Sequence, residues 1–284
     1  MTKPQHINFG GQLISLDRPR VMGVINITPD SFYKGSRHSL DEKLIESVGK
    51  MTGDGADFID IGGYSSRPGA NDIDVEEEKR RVLPAIKLLK DAFPGIIISV
   101  DTFRASVAEE AVKGFGADMI NDITGGDGDE QMFTLVRRLN VPYILMHMQG
   151  TPATMQKNPV YSDIIADILE WFSRRIYELK AGGVNDIIID PGFGFGKTVT
   201  DNFEMLRRFR EFEVASLPLM AGISRKSMIW RTLDVDPSEA LNGTTVINTI
   251  ALMNGADILR VHDVKEAAEA VKLVSRMKND KRGI

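Results

Sequence analysis

Seven positions carry the chemistry open to this chain, and they sort by charge. Asp101, Asn121 and Asp190, two carboxylates and an amide, stand where runs of apolar residues end. Converging in one mouth, such groups pair with the donor and acceptor edge of a heterocycle. Arg67, Lys226, Arg260 and His262 are basic and stand at comparable places. A cluster of that kind suits a phosphate or pyrophosphate. Each has a plain structural alternative. Asp101 precedes Thr102 and Arg104 and could cap the next helix. Arg225 and Lys226 could mark a solvated helix start, although cations are disfavoured there unless an anion is near. Arg225 is as well explained as an ion-pair partner and stays outside the catalytic set.

Other chemistries are narrowed by what the chain lacks. There are 284 residues, a net charge of −5, four His and no Cys. Thiolate and zinc-cysteine chemistry and a disulfide framework are therefore excluded. The His show no HExxH or similar spacing, so a divalent ion is expected to be magnesium arriving with phosphates. Without a Lys/Arg-rich run, nucleic acid is not an expected partner. The N-terminus lacks the apolar core of a signal peptide and no apolar run is long enough to cross a bilayer, which points to a cytoplasmic protein. Gly196-Lys197-Thr198 imitates the end of a phosphate-binding loop, but Pro191 occupies the position where that loop needs glycine. Gly192-Phe193-Gly194 imitates half of a dinucleotide fingerprint without its third glycine or its acidic residue.

The elements that position these groups form a repeating unit. Ile187-Ile188-Ile189-Asp190-Pro191-Gly192 shows it most clearly: a buried strand, a carboxylate, then a turn that proline prevents from continuing as strand. Eight strands are expected, over 21–27, 58–62, 96–100, 119–123, 143–148, 187–190, 219–223 and 258–261. Amphipathic helices are expected between them over 40–53, 75–92, 104–115, 163–181 and 265–277. Eight such units favour a TIM (β/α)8 barrel, whose active site is built at the C-terminal strand ends. Those ends deliver Asn26, Asp60, Asp101, Asn121, His147, Asp190, Ser224 and Arg260 to one rim. Ahead of the barrel, residues 7–16 alternate around Gly10-Gly11 and read as a β-hairpin plugging the fold. One domain is expected, with the hairpin at about 6–17 and the barrel at about 20–278.

The motifs closely resemble those of dihydropteroate synthase. They are Gly23-Val24-Ile25-Asn26-Ile27-Thr28-Pro29-Asp30-Ser31-Phe32, Asp60-Ile61-Gly62-Gly63, Ser66-Arg67-Pro68-Gly69, Ser99-Val100-Asp101-Thr102, Ile120-Asn121-Asp122, Asp190-Pro191-Gly192-Phe193-Gly194-Phe195-Gly196-Lys197, Ser224-Arg225-Lys226-Ser227 and Arg260-Val261-His262-Asp263. They run in family order from about residue 7 to about residue 275. The resemblance implies condensation of 6-hydroxymethyl-7,8-dihydropterin pyrophosphate with para-aminobenzoate in folate synthesis, by a dissociative route without a covalent enzyme intermediate. It assigns Asp101, Asn121, Met146, Asp190, Phe195 and Lys226 to the pterin. Ser66, Arg67, Arg260 and His262 go to the pyrophosphate, and Asn26 to a magnesium cofactor. Phe195, Lys226 and Ser227 go to para-aminobenzoate, and Asp101, Lys226, Arg67 and Asn26 form the catalytic group. It further implies a sulfonamide target and a homodimer through helices late in the barrel. Residues 244–253 are apolar enough to contribute to that contact, and burial against the barrel explains them equally well.

Two loops, 28–39 and 64–71, are expected lids. Both depart from the commoner family pattern. Ser31-Phe32 is followed by Tyr33-Lys34-Gly35-Ser36 where Ser-Asp-Gly-Gly is usual, and Tyr64 stands where Glu is frequent. Ser66 stands for Thr and keeps the hydroxyl. Among alternatives, a methyltetrahydrofolate-dependent methyltransferase would not need the cations at 67, 226, 260 and 262. A binding paralogue without turnover would have lost some of Asp101, Asn121, Asp190, Arg67 and Lys226. A phosphosugar aldolase would want a Schiff-base lysine within a strand, whereas Lys197 and Lys226 both lie beyond strand ends.

Overall fold

A computed structural model of the chain describes residues 3–27, 37–65, 72–151, 154–155 and 159–279. An antiparallel hairpin, β1 (His6–Phe9) and β2 (Gln12–Ser15), comes first, turning at Gly10-Gly11. The barrel strands follow: β3 (Arg20–Asn26), β4 (Phe58–Gly62), β5 (Ile97–Asp101), β6 (Met119–Asp122), β7 (Tyr143–Met146), β8 (Ile187–Asp190), β9 (Met220–Ala221) and β10 (Ile258–Val261). All neighbours are parallel, in the order β8-β7-β6-β5-β4-β3-β10-β9. A bridge between Ile189 and Leu219 joins β8 to the chain entering β9 and closes the circle. The expected (β/α)8 barrel is thus present. Its seventh strand is shorter than expected, because the chain after Ala221 turns to carry Ser224 and Lys226.

The helices pack outside: α1 (Arg37–Asp54), α2 (Val75–Ala92), α3 (Ala105–Phe115), α4 (Met132–Leu139), α5 (Ile164–Ala181), α6 (Val199–Arg207), α7 (Ser227–Leu233), α8 (Leu241–Met253) and α9 (Val264–Asn279). α1 begins three residues inside the stretch read as a loop, residues 37–39 being helical. Short 3-10 segments at Phe209–Ala215 and Pro237–Glu239 were not foreseen.

Inside the barrel, every strand contributes one apolar residue to a single layer: Met22, Phe58, Ile97, Met119, Ile144, Ile188, Met220 and Ile258. Ile7 and Phe9 of the hairpin close that layer from below, with the Phe9 and Phe58 rings 5.6 Å apart. The hairpin is held there by a bond from Asn8 N to Asp186 Oδ1 of 2.9 Å. This plug seals the N-terminal end of the barrel, so a ligand approaches from the C-terminal strand ends.

Candidate active site

Side chains alternate across a strand, and ladder partners face the same side. Stepping two residues up from the plug therefore brings Asp60, Ser99, Asn121, Met146, Asp190 and Arg260 into the barrel interior. The next step reaches Asn26, Gly62 and Asp101, which are ladder neighbours at the mouth, and His262 beyond β10. One parity rule thus gathers seven of the residues chosen from sequence: Asn26, Asp101, Asn121, Met146, Asp190, Arg260 and His262. Gly62 makes room for one of them, since a Cβ there would lie 3.3 Å from Asp101 Cβ.

Arg260 ties the layer together. Its Nε donates to Asp60 Oδ2 and its Nη2 to Asp101 Oδ2, both at 2.6 Å. Asn121 Nδ2 donates to the same Asp60 oxygen at 2.9 Å. Asp60 Oδ1 and Ser99 Oγ are fully buried and have no hydrogen-bond partner among the described residues. The sequence placed Arg260 among the phosphate cations and gave Asp60 no role. The structure puts Arg260 between two carboxylates, where Asp60 is its buried counter-charge. The two sub-sites accordingly interleave and do not separate by charge, as buried ions require partners of opposite sign.

Asp101 does not cap the next helix. Its carboxylate turns to Arg260, while the first N–H of α3, at Ala105, goes to Asp129 Oδ2 at 2.8 Å. Burial pushes the Asp101 carboxyl up to about 7, Arg260 works against the rise, and the charge of Asp60 adds to it. Burial also raises Asp190, opposed by Lys226. Asp190 Oδ1 accepts from Gly192 N at 2.8 Å, which folds the following turn back over the strand end. Gly192 has φ +73°, and a Cβ there would come within 2.0 Å of the His147 carbonyl, so no other residue fits.

Lys226 reaches the site from the N-cap position of α7. Its Nζ donates to the Phe193 carbonyl and lies 4.5 Å from the centroid of the Phe195 ring. Burial brings its ammonium down to about 8, with Asp190 opposing the fall and Arg260 adding to it. Phe195 packs with Met146, Ile123, Met148, Met155 and Phe103 into an apolar wall beside the carboxylates. Ser227 is the first residue of α7, one position beyond Lys226. His262 sits against Ser224, with N and Nδ1 both 3.2 Å from Ser224 Oγ.

Arg225 is the ion-pair partner that the alternative reading described. It makes a two-pronged bond to Asp263 at 2.9 and 2.8 Å, and donates to the carbonyls of Pro237 and Ser238. Asp122 and His147, also near strand ends, face away from the interior. Asp122 organises its own turn through Thr124, Gly126 and the Tyr143 hydroxyl. Ser66 and Arg67 lie outside the described residues, as do 28–36 and 66–71 of the expected lids. Tyr64, at the start of the second, sets its ring edge-on to Phe103 at 5.1 Å, with the Arg104 guanidinium 5.6 Å from its centroid.

Among the described residues no group of three His, Cys, Asp or Glu side chains could hold a metal alone. No described helix is long and apolar enough to cross a membrane.

Comparison with known proteins places these features in context. Residues 22–262 match the pterin binding enzyme family. The chain is 42% identical over 266 residues to the dihydropteroate synthase of Escherichia coli K12, covering 93% of each. A Yersinia pestis dihydropteroate synthase crystallised with a sulfonamide drug superposes with a TM-score of 0.90 at 40% identity, over 96% of this chain and 99% of that one. The Xanthomonas albilineans enzyme with 4-aminobenzoic acid gives 0.89 at 36%, over 98% and 99%.

Proposed function

The chain belongs to the dihydropteroate synthase family of pterin-binding enzymes, and on that footing we propose that its barrel mouth condenses 6-hydroxymethyl-7,8-dihydropterin pyrophosphate with para-aminobenzoate, yielding 7,8-dihydropteroate and pyrophosphate. The observation that carries this reading is the cluster of Asp60, Asp101, Asn121, Asp190, Arg260 and Lys226 above a sealed plug, with an apolar wall that includes Phe195. A flat heterocycle needs such an arrangement: acceptors and donors at its edge, methionine and aromatic surface on its face.

The charges then account for the chemistry. Three carboxylates, at 60, 101 and 190, face two cations, at 226 and 260, so the deep part of the site carries one negative charge in excess when all are ionised. Departure of pyrophosphate leaves a pterin methylene cation, and Asp101 stabilises that charge more in the dissociated state than in the substrate. The barrier falls for that reason, and not merely the dissociation constant. Arg67, His262 and Ser66 take the leaving group. Phe195 and Ser227 present the aniline to the cation, Phe195 against its ring and Ser227 at its carboxylate. With the C–O bond to pyrophosphate already broken, the aniline nitrogen attacks the methylene cation to form the C–N bond, and the resulting anilinium gives up one proton to solvent.

Asn26 fits a magnesium role through the chemistry of its donor. A carboxamide oxygen is a hard ligand, and one such group suffices when the remaining ligands are phosphate oxygens and water. Asn26 would hold the ion there, and its charge would help neutralise the departing pyrophosphate. The same site takes sulfonamides in competition with para-aminobenzoate. The protein works in the cytoplasm as a homodimer, joined through the outer face of α8 and α9.

Asp101→Ala and Lys226→Ala test the assignment. Each is expected to keep its circular dichroism spectrum and to lose turnover by on the order of 10²- to 10³-fold. A variant that retains the wild-type rate takes its residue out of the mechanism.

A further inference from the structure

A buried lysine behind the site takes no part in this scheme. Lys197 is 3% exposed, and its Nζ turns to the His147 side of the 192–197 turn. It meets His147, which follows Met146 and therefore faces outward, edge-on to Trp171 of α5 at 5.2 Å. Lys197 Nζ is 2.9 Å from the Phe195 carbonyl, 3.1 Å from His147 Nδ1 and 3.4 Å from the His147 carbonyl. Three acceptors thus match the three hydrogens of an ammonium. Burial brings His147 down to about 2, so its imidazole is neutral, and the tautomer protonated at Nε2 leaves Nδ1 to accept from Lys197.

The geometry beyond Lys197 concerns the site itself. Lys226 holds the Phe193 carbonyl from the mouth side, and Lys197 holds the Phe195 carbonyl from behind. Tyr161 adds a bond from its hydroxyl to the Gly196 carbonyl at 2.8 Å. The carbonyls at 193 and 195 are each fixed by a lysine, and the Phe195 side chain between them is the aromatic surface that Lys226 approaches. Keeping an amine in this interior opposes folding, since burial lowers Lys197 to about 7, whereas a methionine of similar length would fill the space without that penalty. What the amine adds is direction at one backbone carbonyl.

We propose that Lys197 is a positioning residue, which fixes the Phe195 ring by holding its carbonyl from behind and so sets the affinity for para-aminobenzoate without touching it. The inference rests on the assignment of Phe195 to the para-aminobenzoate side of the mouth.

A double-mutant cycle tests it, with KM for each substrate and kcat measured in wild type, Lys197→Met, Phe195→Ala and the double variant. Lys197→Met should raise KM for para-aminobenzoate roughly tenfold, while KM for the pterin pyrophosphate, held mainly at its edge by Asp101, Asn121 and Asp190 and only at its margin by the Phe195 ring, stays within about twofold. In the Phe195→Ala background the same substitution should change KM less than about twofold, because the ring through which it acts is gone. Equal rises in both KM values, an unchanged KM, or the same factor in both backgrounds would overturn the proposal. Should Lys197→Met fail to fold, Lys197→Gln keeps an N–H donor on a shorter arm and carries the same cycle. It should give a smaller rise that also vanishes without Phe195, and additivity there is equally contradictory. Absence of dihydropteroate formation by the wild type would instead count against the reading of the whole site.

Discussion

At the scale of single residues, the site is a matter of which way each side chain faces. Asp60 and Asp122 look alike in sequence, each an acid near a strand end followed by an isoleucine. Two residues above Phe58, Asp60 faces the interior and pairs with Arg260, whereas Asp122 faces out and holds a turn. Facing depends on strand parity relative to the plug, which composition does not reveal. Asp60 was thus placed on the rim without a role and Ser99 was passed over, although the spacing from Ser99 to Asp101 was a usable signal. The charges of the residues that were found make a pH profile predictable. Asp101 must be ionised to stabilise a cation, so kcat/KM for the pterin substrate should rise with pH through about 7. Lys226 must be protonated, so the rate should fall above about 8. A narrow bell is expected, and Asp101→Asn should remove its acid limb. Persistence of that limb in the variant would assign it to another group.

At the scale of elements, strands and helices were legible because the chain alternates Ile- and Val-rich runs with amphipathic stretches. The helix over 75–92 coincides with the expected one, and most strands agree to within a residue or two. The connections were less legible, because tertiary bonds and not local propensity set their course. The β9–α7 connection is the instructive case. Arg225 adopts a left-handed φ of +55°, and its guanidinium ties the connection to Asp263 and to the carbonyls of Pro237 and Ser238. Ser224 and Lys226, on either side, are thereby aimed into the mouth. Arg225→Ala should lower the free energy of unfolding by about 1–3 kcal/mol in urea titrations, and also raise KM for both substrates. A loss of stability with unchanged KM would separate the anchor from the site.

At the scale of the whole molecule, one architecture answers two questions. The hairpin and the layer from Met22 to Ile258 close one end, and the polar layers open at the other. The same barrel leaves an apolar face outside. α8 buries Ile247, Ala251 and Leu252 against the barrel but exposes Val246 by 50% and Ile250 by 39%, and α9 beside it exposes Leu273 by 73%. The apolar stretch over 244–253 is therefore only partly explained by the core. Sedimentation should give twice the 31.5 kDa chain mass, and Val246→Asp with Ile250→Asp should weaken association by on the order of 10²-fold. A monomeric wild type at micromolar concentration would remove the dimer from the account. The chemistry of the barrel mouth is tested by pyrophosphate release from purified protein given the dihydropterin pyrophosphate and magnesium. The release should be followed with and without para-aminobenzoate, with dihydropteroate measured in parallel. Steady release should depend on para-aminobenzoate and match product mole for mole. Tight binding of the pterin with no dihydropteroate formed would contradict the proposed reaction.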